Sequence, residues 1–165
     1  MPYGSRVSGL HQRGLWCLPS VWRSRVAEFL EAFGLSGREG ELLAGYSRGM
    51  KQKIALMAAF LHRPRVLILD EPLSGLDPKS ARLVKEMLHK LALDGTTTII
   101  STHVLEIAEA ICDRIAILYE GVKIAEGSPG ELKLLSESPN STLEDVFLKL
   151  TGSEDVRELV EALVR

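Results

Sequence analysis

An unbroken apolar run that ends in two acidic residues constrains the fold of this chain more than any other feature. Residues 66–69 are Val-Leu-Ile-Leu, and Asp70 and Glu71 follow at once. Such a run, without alternating polar residues, is typical of a strand that is covered on both faces in a parallel sheet. Since the carboxyl ends of parallel strands share one edge of the sheet, we expect both carboxylates at that edge. The chain is therefore expected to fold around a parallel sheet.

Cap and break residues divide the chain into alternating helices and strands. Ser47 is a good N-cap, and Asp77 followed by a proline is another. The pattern predicts helices at residues 20–33, 47–61, 77–94 and 105–111, and further short helices after Ser128, Thr142 and Ser153. It predicts strands at residues 66–69, 97–101, 115–119 and 122–125. This alternation indicates an α/β fold.

Charge and composition exclude some classes of function. The formal net charge of −2 gives no broad attraction for nucleic acid or anionic lipid, so we expect no nucleic-acid partner. No apolar run approaches the roughly 20 residues that span a bilayer. Any membrane association is therefore expected to come through a protein partner. Cys17 and Cys112 lie far apart without a CxxC motif, which favours isolated thiols in a reducing compartment.

Two successive predicted strands end in residues suited to phosphate chemistry. Asp70 and Glu71 follow one strand, and His103 follows the next. One carboxylate at such an edge can hold Mg²⁺, and the next can orient a water for attack on a phosphoryl group. Taken alone, the two acidic residues fit solvated loop carboxylates equally well.

Four short motifs occur in an order that resembles the ATP-binding cassette (ABC) ATPase family. The resemblance runs from about Arg25 to Gly152. The motifs are Tyr46-Ser47-Arg48-Gly49-Met50-Lys51-Gln52-Lys53 (signature), Leu67-Ile68-Leu69-Asp70-Glu71-Pro72 (Walker B with its glutamate), Ser74-Gly75-Leu76-Asp77 (D-loop) and Thr102-His103 (switch histidine). Each motif alone is weak, but the ordered set is highly specific.

The resemblance implies a partial P-loop NTPase (RecA-like) core with parallel strands, part of the ABC helical subdomain, and C-terminal helices. In this interpretation the chain divides into an unplaced segment 1–19, part of the helical subdomain 20–63, the C-terminal half of the ATPase core 64–127, and a helical extension 128–165. The segment Leu143-Glu144-Asp145-Val146-Phe147 also resembles the end of exporter-type members.

The resemblance also implies roles for individual residues, with ATP and Mg²⁺ as cofactors. Asp70 would bind Mg²⁺ through its water shell, Glu71 would polarise the attacking water, and His103 would contact the γ-phosphate. The residues implied to bind nucleotide or couple two sites are Ser47, Arg48, Gly49, Met50, Gln52 and Asp77. In this family the signature acts on ATP held mainly by the opposite subunit. Two plainer alternatives stay open: Ser47 as a helix cap and His103 as a surface histidine.

The 165 residues contain no G-x-x-x-x-G-K-S/T phosphate loop. We therefore expect the chain alone to bind ATP poorly, because that loop supplies several charge-assisted hydrogen bonds to the phosphates. The expected partners are membrane-spanning transporter subunits and a second ATP-binding subunit in a homo- or heterodimer, at the cytoplasmic face of the membrane. Two alternatives are a trans-acting half that completes a partner's ATP site and a non-functional gene fragment. An ABC ATPase of DNA repair or translation is disfavoured, since residues 25–152 leave no room for a long insertion.

Overall fold

The computed structural model describes residues 19–136, 141–152 and 163. Residues 1–18 of the unplaced N-terminal segment lie outside this range, as does the helix predicted after Ser153 apart from Leu163. The chain divides into two compact units, Met1–Ser101 and Thr102–Arg165. Within the described part of the chain, no helix has both the length and the apolar character needed to cross a bilayer.

The described residues of the first unit form three α-helices and a parallel pair of strands. In chain order these are α1 (Pro19–Ala32), a 3₁₀ turn (Leu43–Gly45), α2 (Arg48–Leu61), β1 (Val66–Asp70), α3 (Pro78–Leu93) and β2 (Thr97–Ser101). β1 pairs with β2 in parallel, so that Asp70 lies opposite Ser101. The predicted parallel arrangement and the predicted bounds of β2 are confirmed.

Helices α1 and α2 supply most of the core of the first unit. The buried apolar side chains of these helices and their connection are Trp22, Leu30, Phe33, Leu35, Tyr46, Ile54, Leu56, Met57, Phe60 and Leu61. The helical spacing of Ile54, Met57, Ala58 and Leu61 predicts one apolar face of α2. Three of these side chains are buried and Ala58 is partly buried, but Leu56 and Phe60 are buried as well. The apolar surface of α2 is thus wider than one amphipathic stripe, as expected for a helix that is covered on more than one side.

The expectation that β1 is covered on both faces is wrong for the described residues. Leu67 is 5% exposed, whereas Val66 and Ile68 are 56% and 73% exposed. Ile99, which pairs with Ile68 across the sheet, is 55% exposed. Since side chains alternate between the two faces of a strand, one face of this sheet is buried and the other lies open in the described structure.

The second unit is a small α/β assembly. It contains α4 (Leu105–Ile111), β3 (Ile115–Tyr119), β4 (Val122–Gly127), α5 (Pro129–Lys133), a 3₁₀ turn (Leu134–Ser136) and α6 (Leu143–Thr151). β3 and β4 form an antiparallel hairpin, and β4 is two residues longer than predicted. The hairpin turns at Glu120 and Gly121, whose φ angles of 49° and 79° suit a tight turn with two left-handed residues.

Capped helices close the core of the second unit. Ser128 and Thr142, after which short helices are predicted, both form capping boxes, with Glu131 and Asp145 respectively. Among the described residues, the core cluster of this unit consists of four buried side chains: Ile117, Leu132, Leu143 and Val146. Each cap fixes the start of a helix whose next turns bury one or two of these residues.

Neighbouring residues of β1 provide a matched test of the open face. We expect Leu67→Ala to lower the free energy of unfolding by about 2–5 kcal/mol, because it leaves a cavity. Ile68→Thr should change it by less than about 0.5 kcal/mol and should reduce self-association, because it removes exposed apolar surface. Urea unfolding and sedimentation velocity measure the two effects. Equal destabilisation by both substitutions would show that this face is covered.

Candidate functional site

The start of α2 combines a side-chain cap with backbone donors that have no partner within the helix. The Ser47 hydroxyl accepts a hydrogen bond from the Met50 N–H at 3.3 Å, and the Ser47 carbonyl accepts the first helical bond, from Lys51. The N–H groups of Arg48 and Gly49 precede that first bond and have no carbonyl to meet within the helix. Capping uses an acceptor lone pair of the Ser47 hydroxyl and leaves its O–H available as a donor. This helix terminus is suited to an anion, so capping and anion binding are compatible.

Gly49 lies against the segment that follows β1. A Cβ atom at Gly49 would stand 2.5 Å from the carbonyl oxygen of Gly75, so any other residue would force one backbone segment to move. Beside this contact, the Arg48 guanidinium donates to the Ser74 hydroxyl at 3.3 Å. The start of α2 therefore touches residues 71–77 directly; this segment is called the 71–77 turn below.

Glu71 adopts an uncommon backbone conformation at the beginning of the 71–77 turn. Its φ is 45°, in the left-handed region that non-glycine residues seldom occupy. Its N–H donates to the Ser101 carbonyl at 2.9 Å, and its carbonyl accepts from the Ser74 N–H at 3.1 Å and the Gln52 amide at 3.3 Å. Strain of this kind persists where the surroundings over-determine it, and such positions cluster at active sites.

Asp70 lies at the carboxyl end of β1, next to the end of β2. Its carboxylate accepts a hydrogen bond from the Ser101 hydroxyl, and its side chain is exposed. Mg²⁺ is commonly held by one or two carboxylates together with waters and substrate phosphates. A single exposed carboxylate with an adjacent hydroxyl fits that type of site.

Asp77 ends the 71–77 turn and caps α3. Its carboxylate accepts from the Ser80 N–H at 2.9 Å and the Ser80 hydroxyl at 2.7 Å, and it forms an ion pair with Lys53 at 2.7 Å. The hydrogen bond from the Lys53 ammonium, followed by the two from Ser80, holds the pKa of the Asp77 carboxyl well below its ordinary range. Asp77 is therefore ionised throughout the physiological pH range.

The structure brings together most of the site residues that the sequence predicts. The predicted residues in the first unit lie either in the first turns of α2 or around the 71–77 turn: Ser47, Arg48, Gly49, Met50, Gln52, Asp70, Glu71 and Asp77. Gln52, expected at the nucleotide, donates its amide to the carbonyls of Glu71 and Pro72 at 3.3 and 3.2 Å. His103 belongs to the second unit, two residues before α4, with an exposed side chain. Its role stays a prediction.

Lys53 is the functional candidate that sequence reasoning missed. Its ammonium contacts the Phe33 carbonyl at 3.0 Å as well as Asp77, and its side chain is only 15% exposed. The signal available in the sequence was its place at the end of the signature motif, but its partners lie 20 and 24 residues away and no local pattern indicates them.

Comparison with known proteins identifies the family. The sequence model of the family described as "AAA domain, putative AbiEii toxin, Type IV TA system" matches residues 20–109, more than half of the chain. The Nod factor export ATP-binding protein I of Burkholderia orbicola (strain AU 1054) is 43% identical over 110 residues, which are 67% of this chain and 36% of that protein.

Two solved structures resemble the fold. A structure of an ATP-binding subunit of an ABC transporter superposes with a TM-score of 0.76 at 31% identity, covering 82% of this chain and 57% of the other. The dimeric ATP-binding cassette MJ0796 in a post-hydrolysis state, bound to ADP and Pi, gives a TM-score of 0.60 at 26% identity over 70% of this chain and 50% of the other. The fold is thus that of the P-loop NTPases.

This chain is shorter than its relatives. It spans between 34% and 52% of the length of the first three curated relatives that it matches.

The contact at Gly49 can be tested with a pair of glycine substitutions. We expect Gly49→Ala to lower the free energy of unfolding by about 1–3 kcal/mol, because the new methyl group overlaps the Gly75 carbonyl. Gly45→Ala is the control, since no heavy atom lies within 4 Å of a Cβ there; it should change stability by less than about 0.5 kcal/mol. Chemical denaturation of both variants measures the difference. Equal effects would exclude the close approach.

The pKa of Asp77 predicts a pH-dependent contribution to stability. The pKa of Asp77 is lower in the folded than in the unfolded chain. Asp77 therefore makes its full contribution to the free energy of unfolding at pH values above its unfolded-state pKa, and this contribution is lost as the pH falls toward its folded-state pKa. Asp77→Asn keeps a capping side chain but loses the charge. The unfolding midpoint of the wild type should exceed that of Asp77→Asn at pH 7, and the gap should narrow between pH 4 and pH 2. A constant gap would contradict the ion pair.

Proposed function

The chain belongs to the ATP-binding cassette ATPase family, and from this premise we propose that it is an ATP-binding subunit of a membrane transporter. The observation that carries the proposal is the direct contact between the start of α2 and the 71–77 turn. Through this contact the signature motif, the Walker B glutamate and the D-loop form one continuous surface in the first unit. Three motifs that are separate in sequence thus lie against one another in the first unit.

In the proposed mechanism, the start of α2 binds the γ-phosphate of ATP. The Ser47 hydroxyl and the N–H groups of Arg48 and Gly49 donate to phosphate oxygens, favoured by the positive end of the helix dipole. These donors are held in place before the nucleotide arrives, because the cap and the Gly49–Gly75 contact fix the helix start. Such preorganised donors stabilise charge without rearranging during the reaction.

The residues at the carboxyl edge of the sheet carry the hydrolytic roles. Asp70 would hold Mg²⁺, which when bound neutralises charge on the phosphates. Glu71 accepts a hydrogen bond from the attacking water and orients it, and its constrained backbone keeps the carboxylate in a defined place. His103 contacts the γ-phosphate, and Asp77 couples the two subunits' sites.

A second ATP-binding subunit is part of the proposal. Because the signature in this family acts on ATP held mainly by the opposite subunit, we assign the cradle for that nucleotide's phosphates to the partner. The dimeric state of the related MJ0796 cassette supports such pairing.

Membrane-spanning subunits complete the proposed assembly, and the chain would sit at the inner face of the membrane through them. Export is the proposed direction, supported by the Nod factor export relative and by the resemblance of residues 143–147 to exporter-type members. Helix α6, which contains this segment, is firmly capped by Thr142.

The proposal predicts an ATPase effect in trans. The purified chain alone should show no saturable Mg-ATP binding in calorimetry, with Glu71→Gln run alongside so that hydrolysis cannot hide a bound state. Mixed with a complete ABC ATP-binding paralogue, the wild-type chain should raise the ATPase rate. Ser47→Ala should reduce that increase by about tenfold or more, because a hydrogen bond to a charged group contributes about 1.5–3 kcal/mol.

The Glu71→Gln chain in the same mixture separates an enzyme from a non-catalytic half. A fall in the rate would show that this chain's own glutamate takes part in turnover. An unchanged rate, together with the loss in Ser47→Ala, would show that the chain only lends its signature. No stimulation by the wild-type chain would refute the proposed subunit role, and micromolar ATP binding by the chain alone would refute the need for a partner's phosphate cradle.

A further inference from the structure

Two consecutive side chains of α2 reach the 71–77 turn. The Gln52 amide donates to the carbonyls of Glu71 and Pro72 at 3.3 and 3.2 Å. The Lys53 ammonium pairs with the Asp77 carboxylate at 2.7 Å. Gln52 thus holds the beginning of the turn and Lys53 holds its end.

The Lys53 side chain is largely shielded from water, whereas its partner Asp77 is half exposed. The Lys53 side chain is 15% exposed and the Asp77 side chain 48%, and the Lys53 ammonium also contacts the Phe33 carbonyl just beyond α1. A desolvated ammonium is costly unless charged or polar partners surround it, so Lys53 has little freedom to leave this position. Lys90 pairs with Asp94 at the same 2.7 Å, but the two side chains are 70% and 55% exposed, which makes it a useful comparison.

The Gln52 interaction acts on the strained residue of the site. Glu71 has a φ of 45°, and its carbonyl accepts from both Gln52 and the Ser74 N–H. Fixing this carbonyl fixes the plane of the following peptide, and with it the backbone from which the Glu71 side chain extends. A single amide of α2 therefore constrains the orientation of the proposed catalytic residue.

We infer that Gln52 and Lys53 are positioning residues that clamp the 71–77 turn, and with it Glu71 and Asp77, to the phosphate-facing start of α2. The inference deepens the proposed function and rests on it for the identity of the phosphate. Gln52 lies five positions after Ser47, the cap of the same helix, so the clamp joins the turn to the helix whose start faces the phosphate. Gln52 then has a role distinct from the nucleotide contact that its motif suggests.

Hydrogen exchange of the full chain, without nucleotide, tests the Gln52 half of the clamp. Gln52→Leu keeps the size of the side chain but removes the amide donor. Exchange of the Ser74 amide should become about tenfold faster or more, because its acceptor carbonyl loses a restraint. The carboxyl-terminal half of α3 and helix α6 should keep their wild-type exchange.

Titration of the Asp77 carboxyl by NMR tests the Lys53 half. Lys53→Met should raise the pKa of Asp77 toward its ordinary value and speed exchange in the 71–77 turn. Lys53→Arg should restore the low pKa and the slow exchange, since a cation is again present. Lys90→Met, which removes an exposed ion pair of equal length, should leave both measurements unchanged.

Three results would overturn the clamp. The first is wild-type exchange of the Ser74 amide in folded Gln52→Leu and Lys53→Met. The second is faster exchange throughout the chain, which indicates general destabilisation. The third is an equal local effect in Lys90→Met. All of these measurements are made without ATP. A failure of the clamp inference and a failure of the proposed subunit role in the ATPase assay are therefore distinguishable.

Discussion

The ammonium of Lys53 joins three parts of the first unit, and the arrangement of the candidate site depends on it. It contacts the Phe33 carbonyl at the end of α1 and the Asp77 carboxylate at the start of α3, while its own backbone belongs to α2. The same carboxylate caps α3 through Ser80. Moving the ammonium would therefore disturb a helix start, a helix end and an ion pair together. This shared dependence makes the site a single structural unit, although its parts are up to 44 residues apart in the chain, Phe33 to Asp77.

Close backbone contact at this site carries a conformational cost that only non-local interactions offset. A left-handed non-glycine residue such as Glu71 costs about 1–3 kcal/mol. Three hydrogen bonds hold it there: its N–H donates to β2, and its carbonyl accepts from the turn itself and from α2. Gly49 permits the close approach because it has no side chain, and the Gly75 carbonyl occupies the space that a side chain would fill. The strained glutamate and the absent side chain are thus two consequences of packing one turn tightly on one helix.

Sequence patterns predict the bounds of the helices and strands better than the burial of their faces or the partners of their side chains. β2, α4 and β3 have the predicted bounds, since apolar runs and caps are local signals. The covered face of β1 was correctly predicted, but its second face was not, because the run of residues 66–69 records a preference for burial and not which element supplies it. Lys53 and the amide of Gln52 were missed or assigned elsewhere for the same reason. Their partners lie 19 to 24 residues away, and only the fold brings them together.

Two regions of the first unit differ in how fully their groups are paired or buried: the 71–77 turn with its neighbouring helices, and the open face of the sheet. Around the 71–77 turn, the cap of α2, the Gly49 contact, the Lys53 ion pair and the cap of α3 all find partners within the described residues. On the sheet, Ile68 and Ile99 present apolar surface that parallel strands ordinarily bury. Binding of a phosphate at the start of α2 needs only the residues around the 71–77 turn. A role that depends on a nucleotide held against this sheet needs the open face covered as well, because an exposed apolar face favours association over a stable ligand pocket. The proposed contact between the start of α2 and a phosphate therefore rests on the part of the first unit whose polar groups are already paired and held in place.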